Sequence, residues 1–371
     1  MARLVFVTWD GGGNVTVALG IASTLLARGH EVTILGPVSL RGLIENTGVA
    51  YAELGVSPPP DTSSRTDYLI QVVGSTDLAA ALQLSIEDLD PDGMVIDCNL
   101  SWALELSIAV PAAVLVHTAP GLYLPVWQPV IDAANRRRLG SGLAPFKPAA
   151  DSWSSHEAVI VASLLQFDRV PRPLPENVAY VGPITRISGN HPSITIAPDS
   201  TNRPNVLISY STDRLQNSPE RLQEALDGLA GLRVRVLAST SGAFEPEQLS
   251  VPPNANVVDD LRHDQVMAMA QAVVTHGGHG TTLGALCHGR PVVCVPGLGR
   301  DQVPIARRVA ELGLGVALAM DATARDIGGA VGTVLRDRSY RERAREFKRQ
   351  CGATDGATAA AEILERALVS R

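Results

Sequence analysis

At 371 residues, 45% of them apolar, the chain is too long for one ordinary core and can fill two, of roughly 180 residues each. Its formal net charge of −7, with no long basic run, argues against a nucleic-acid partner, and the arginine-rich run 336–349 alternates with acids as a solvated helix face does. No apolar run reaches the ~18 residues of a membrane span, and no signal sequence precedes the first strand at Arg3, so a cytoplasmic protein is expected.

Residues 4–9 (LVFVTW) read as a buried strand, 10–14 (DGGGN) as a tight loop, 15–28 as a helix closed by Gly29, and 30–35 as a second strand. This β-α-β start with β-branched strands implies a parallel, doubly wound sheet whose ligands lie beyond the strand carboxyl ends. A dinucleotide fingerprint fails, because Thr16 stands where a third glycine is needed and Leu35-Gly36-Pro37 where an acid should end the second strand. The stretch 57–66 reads as a surface loop, and the acid run 87–92 (EDLDPD) as a solvated turn at the end of the sheet away from the chemistry. No metal is expected.

Asp97 closes the strand 94–96 at the productive edge, as a functional carboxylate or as the N-cap of a helix over 100–109. Strand 112–116 leads to His117, which faces a ligand or belongs to the core. The stretch from 122 past Trp127 to Trp153, punctuated by prolines, reads as irregular and aromatic, suited to a flat apolar ligand or to mixed packing. Strand 177–184 closes the first domain, and the polar run 185–204 reads as a linker. Domain bounds follow: 1–184, linker 185–204, a second domain 205–355, and a C-terminal helix 356–371. The four cysteines, Cys98, Cys287, Cys294 and Cys351, show no CxxC spacing and are expected as buried reduced thiols, not as a metal site or disulfides.

The second domain opens with strand 206–210 and Ser211-Thr212, continues through strands 233–237 and 255–258 and a helix 264–271, and reaches its most informative run at 272–302. There a β-branched strand breaks into His276-Gly277-Gly278-His279-Gly280-Thr281-Thr282 before a helix begins. The free N–H groups and dipole of a helix N-terminus suit an anion, and glycines let a phosphate approach the backbone. A next strand delivers Asp301-Gln302, a carboxylate beside an amide, to the same edge, where sugar hydroxyls would find both donors and acceptors. Phosphate followed by polyol suggests a nucleotide sugar.

This run resembles the donor motif of GT-B glycosyltransferases of family 1, the bacterial macrolide and natural-product type. The resemblance spans nearly the whole chain. It implies two Rossmann-like doubly wound α/β domains facing across a cleft, with the acceptor held by the first, the nucleotide sugar by the second, and a C-terminal helix crossing back to the first. It implies an inverting, metal-independent hexosyltransferase that moves a deoxysugar from dTDP or UDP to a small hydrophobic natural product, with no cofactor beyond the co-substrate and as a monomer or homodimer. Carried over, His276, Gly278, His279, Gly280 and Thr281 hold the diphosphate with Ser211 and Thr212, Asp301 and Gln302 hold the sugar, and Leu261 with Arg262 meets the base.

One departure stands out. The family's loop after the first strand carries a histidine base in a Gly-His-x-x-Pro pattern, with an aspartate at the position of Asp97 orienting it. Counting back from Ala27-Arg28-Gly29-His30 places Asn14 at the histidine and Val17 at the proline. An amide cannot take a proton near neutral pH. Asp97 or Asp10 would then act as base with Asn14 positioning the nucleophile, or the acceptor is itself acidic; Asn14, His117 and Trp127 are its expected contacts. The same fold also serves a nucleotide-sugar 2-epimerase or a non-catalytic donor-binding partner.

Overall fold

The structure is a computed structural model that describes residues 1–57, 64–106, 109–184, 202–211, 216–259, 261, 263–351 and 355–369. The linker expected over 185–204 lies mostly outside the described residues, as do the middle of the 57–66 loop, Thr212 and Arg262. The chain divides into two compact units, Met1–Gly189 with Ala353–Arg371, and Asn190–Gly352.

The first unit holds strands β1 (Arg3–Val7), β2 (Glu31–Gly36), β3 (Ala50–Glu53), β4 (Gly93–Asp97), β5 (Ala112–Val116), β6 (Ala158–Val161) and β7 (Val178–Tyr180) in the order β3-β2-β1-β4-β5-β6-β7. The second holds β8 (Asn205–Ser209), β9 (Arg235–Ser239), β10 (Ala255–Val258), β11 (Ala272–Thr275), β12 (Val292–Cys294) and β13 (Gly315–Ala317) in the order β10-β9-β8-β11-β12-β13. Among the described residues every pairing is parallel. The inner strands of both sheets are apolar, Val-, Ile- and Leu-rich runs buried on both faces, which only helices on both sides of a sheet can cover, whereas the edge strands β3, β7, β10 and β13 are partly exposed. The strand order turns back between β1 and β4 and between β8 and β11. At those points the connections diverge, and each leaves a crevice beyond the strand ends.

Apolar clusters line both faces of the first sheet. Ala357, Ala360, Ala361, Leu364 and Leu368 complete one of them, so the helix Gly356–Leu364 and the turn after it belong to the first unit's core. Arg28 fixes this segment by donating Nε and Nη2 to the two Glu365 carboxylate oxygens at 2.8 and 2.7 Å. At the amino end of the sheet, Asp90 and Asp92 of the acid run hold Arg3, accepting from its guanidinium and its backbone N–H, both at 2.7 Å.

Three expectations are corrected. The stretch beyond Leu122 is not irregular: one helix runs Pro120–Gly140 with Pro125 and Pro129 inside it. Tyr123, Trp127, Val130, Ile131 and Ala134 recur at helical spacing and bury one face, which outweighs the two backbone bonds the prolines cannot make. Conversely, the helix expected over 100–109 is the single turn Ser101–Leu104. Asp97 does not cap it, since its carboxylate accepts from the Asn99 N–H. Finally, Cys287 and Cys351 form a disulfide, with 5.6 Å between their Cα atoms, although Cys98 and Cys294 are buried and free. Cys287 ends the helix His279–Cys287 and Cys351 follows the helix Arg338–Gln350; a separation of 64 residues hides their meeting from any spacing rule.

Candidate active site

In the second unit β11 ends at Thr275 and the chain enters the glycine turn. His276 is buried, Gly277 takes φ +83°, and Gly278 is the N-cap of the helix His279–Cys287. Both positions favour glycine: a positive φ disfavours side chains at the first, and a Cβ at the second would run into the His276 ring. Gly278 offers no side chain to cap the helix and no acid stands in its first turn, so the terminal N–H groups keep their positive field. His279 is buried, Gly280 exposed and Thr281 half-buried, and the buried Thr282 hydroxyl has no hydrogen-bond partner.

The loop after β12 is tied down from within. Gln302, 2% exposed, accepts from the Gly297 N–H at 2.6 Å through Oε1 and donates Nε2 to Gln216 Oε1, so its amide shapes the loop. Asp301 is half-buried just ahead of the helix Gln302–Glu311 and does not cap it. Arg221, which no sequence motif singles out, donates to the carbonyls of Val295 and Pro296 at 2.9 and 3.2 Å and lies 5.5 Å from the Tyr210 ring centre. The helix Pro219–Ala230 that carries it is capped by Ser218. Ser211 is half-buried at the end of β8, and Leu261 is buried.

In the first unit β1, β4 and β5 lie side by side, and their carboxyl ends bring together Thr8, Trp9, Asp97 and His117. Asn14 is not in a loop but in the first turn of the helix Gly13–Ala27, which starts at Gly12 with φ +83°. This turn points Asn14 inward, 1% exposed, where Nδ2 donates to Trp9 O at 2.8 Å, Asp97 Oδ2 at 3.0 Å and Thr8 Oγ1 at 3.1 Å. Asp97, 2% exposed, also accepts at Oδ1 from the Asn99 N–H at 3.0 Å and Trp9 Nε1 at 3.2 Å. Asp10 is half-buried, with Oδ2 accepting from Ser39 Oγ at 2.7 Å and its carbonyl from Tyr68 OH at 2.9 Å.

Beside this network the rings of His117, Tyr123, Trp127, Trp9 and Tyr68 form a row with centres 5.4 to 6.1 Å apart. Trp127, expected as an acceptor contact, is buried in the row, whereas His117 and Trp9 are half-exposed. Trp9, Tyr68, Tyr123 and Asn99 were not anticipated. The signal for Trp9 was its place just past a strand at the switch point; for the others only the fold reveals it.

Two doubly wound parallel-sheet units, the second with an uncapped glycine-turn helix at its switch point, define the GT-B class. Residues 223–366 match the family model described as the C-terminal domain of the erythromycin biosynthesis protein CIII-like proteins. The chain is 26% identical to 4'-demethylrebeccamycin synthase of Lentzea aerocolonigenes, with 98% of this chain and 99% of that protein covered. It also superimposes on the glycotransferase of kitacinnamycin with a TM-score of 0.81 at 22% identity, covering 99% of each chain. A spinosyn rhamnosyltransferase complexed with thymidine diphosphate gives a TM-score of 0.73 at 19% identity, covering 98% of this chain and 100% of that one. The chain is a glycosyltransferase of the GT-B fold, similar to the macrolide and natural-product enzymes.

Proposed function

We propose that the enzyme transfers a hexose, a deoxysugar in particular, from a dTDP- or UDP-sugar to a small hydrophobic natural product, with inversion and without a metal ion. The observation that carries this reading is the uncapped N-terminus of the helix His279–Cys287, with His276 buried beside it. As the bond from the anomeric carbon to the phosphate oxygen breaks, negative charge grows on the leaving diphosphate. Fixed N–H groups and the helix dipole are aimed where that charge appears, and they need no reorganisation as the reaction proceeds. The relatives named for rebeccamycin, kitacinnamycin and spinosyn support a natural-product acceptor, and the one complexed with thymidine diphosphate supports a thymidine carrier.

The test is a donor panel. A thermal-shift screen with nucleoside diphosphates and nucleotide sugars should raise the melting temperature with dTDP or UDP compounds, because a ligand bound only by the folded state stabilises it. Transfer to aromatic and macrolide aglycones should then give the inverted glycoside and persist in EDTA. An epimerised sugar formed from donor alone would replace this reading with an epimerase, and donor binding with no product across the acceptor panel would replace it with a binding protein.

A further inference from the structure

We propose that His117 is the catalytic base that takes the acceptor's proton, a proposal that rests on the glycosyl-transfer reading above. Because β4 lies between β1 and β5, Asp97 has one set of neighbours from the β1 side and another from the β5 side. On the β1 side stands Asn14, whose amide has no useful basicity and whose Nδ2 already serves three oxygens. Asp97 itself is 2% exposed and accepts three hydrogen bonds across its two oxygens, so it holds the loop instead of meeting a substrate. The Asp10 carboxylate is engaged by the Ser39 hydroxyl.

His117, on the β5 side, is placed differently. It is half-exposed at the end of β5, and one of its ring nitrogens, an Asp97 carboxylate oxygen and Cys98 Sγ lie within 4.8 Å of one another. Its Nδ1 is buried with no hydrogen-bond partner, which leaves Nε2 as the nitrogen through which the ring meets a ligand. A base and its orienting carboxylate commonly stand this far apart before substrate binds and tighten in the complex. The imidazole also meets the edge of Tyr123 at one end of the aromatic row, where a flat apolar acceptor would bring its hydroxyl. The titratable groups facing it are the Asp97 carboxylate and the Cys98 thiol from β4 and the residue after it, and the Tyr123 hydroxyl from the helix Pro120–Gly140. Burial pushes the Cys98 thiol well up, so it stays neutral and is a poor metal ligand. Asp97 is then a positioning residue for the imidazolium that forms.

The step balances as follows. The acceptor O–H proton passes to His117 Nε2, and the oxygen's electron pair forms the bond to the anomeric carbon. The bond from that carbon to the phosphate oxygen breaks with its pair, which leaves on the nucleoside diphosphate, and the imidazolium later returns its proton to water.

The experiment compares wild type, His117→Gln and Asp10→Asn on acceptors graded from aliphatic alcohols to acidic phenols. With His117→Gln, kcat on the alcohols should fall by about 100-fold or more, the loss should shrink as the acceptor becomes more acidic, and nucleoside-diphosphate affinity should not change. The acid limb of the wild-type kcat/KM profile should disappear in the variant. Added imidazole should partly restore His117→Ala. A loss that is uniform across acceptor acidity, a retained acid limb, or the acidity-dependent loss appearing in Asp10→Asn instead would overturn the assignment. So would activity abolished by EDTA and restored by a divalent ion, which would make His117 a ligand. If His117→Gln fails to bind nucleoside diphosphate, His117→Asn is subjected to the same comparison. A wild type that transfers no sugar defeats the glycosyl-transfer reading, whereas active wild type with an unimpaired variant defeats only the base.

Discussion

The strand edges that carry the candidate residues of each unit are made of different materials. Beyond β11 the main chain sets the geometry: a turn of glycines, a helix whose N-cap glycine brings no capping side chain, and a loop held by Gln302, whose buried amide binds the loop's own backbone. Beyond β1 and β4 side chains take a larger part, and Asn14, Asp97, Asn99, Trp9 and Thr8 hold one another across the two strand ends. A backbone-built site is rigid and indifferent to most of its side chains, which suits a diphosphate common to many donors. A side-chain network can be exchanged residue by residue while the sheet stays unchanged, which would suit the acceptor edge of the proposed reading.

The largest expected effect sharpens the first half of that comparison. Replacing both Cys287 and Cys351 by serine removes a link across 64 residues that ties the far end of the helix His279–Cys287 to the segment after Arg338–Gln350. Chain-entropy arguments put the loss at about 4 kcal/mol, read as a lower urea midpoint that reduced wild type should match. Equal midpoints in oxidised and reduced wild type would show that the backbone site needs no such anchor. Next comes Gly278→Ala, whose Cβ would meet the His276 ring. Calorimetry should find nucleoside diphosphate bound roughly 100-fold more weakly, about 2.7 kcal/mol, with the fold intact. Unchanged affinity would break the claim that glycine is needed there.

On the other edge, Asn14→Ala leaves three buried oxygens short of a donor and should cost about 2 kcal/mol of stability in urea, without changing nucleoside-diphosphate affinity. A loss of both together would mean the two edges are not the independent constructions described. The smallest effect concerns the return segment. Hydrogen bonds from Arg28 hold the Glu365 carboxyl down at about 2, and a depressed value means stability present above the ordinary carboxylate range and lost as pH falls through the folded-state value. Glu365→Gln should therefore cost about 1 kcal/mol at pH 7, with the gap to wild type closing from about pH 4.5 towards 2 in paired thermal melts.

The same contrast explains what the sequence disclosed. Anion binding by main chain demands glycine at fixed offsets between a strand and a helix, so His276 to Thr281 could be read directly, as could the doubly wound sheets from their β-branched runs. The first unit's edge draws on positions 9, 14, 97, 99, 117 and 123, which no local rule connects, and only the order β1-β4-β5 makes them neighbours. The helix Pro120–Gly140 was obscured for another reason, since Pro125 and Pro129 are strong local breakers overruled by a buried face. The disulfide was obscured because chain spacing says nothing about which helix ends meet.

The contribution of residues 356–369 to the first unit's core bears on how the protein is made. As a ribosome extends the chain, part of the apolar cover on one face of the first sheet is synthesised only after the whole second unit. The second unit therefore has all its parts first, although the first unit was begun earlier. Until then Leu19, Ile21 and Leu25 lack the alanine-rich partner that packs against them in the finished molecule, and a chain cut before residue 356 would present that greasy stripe to every other protein in the cell.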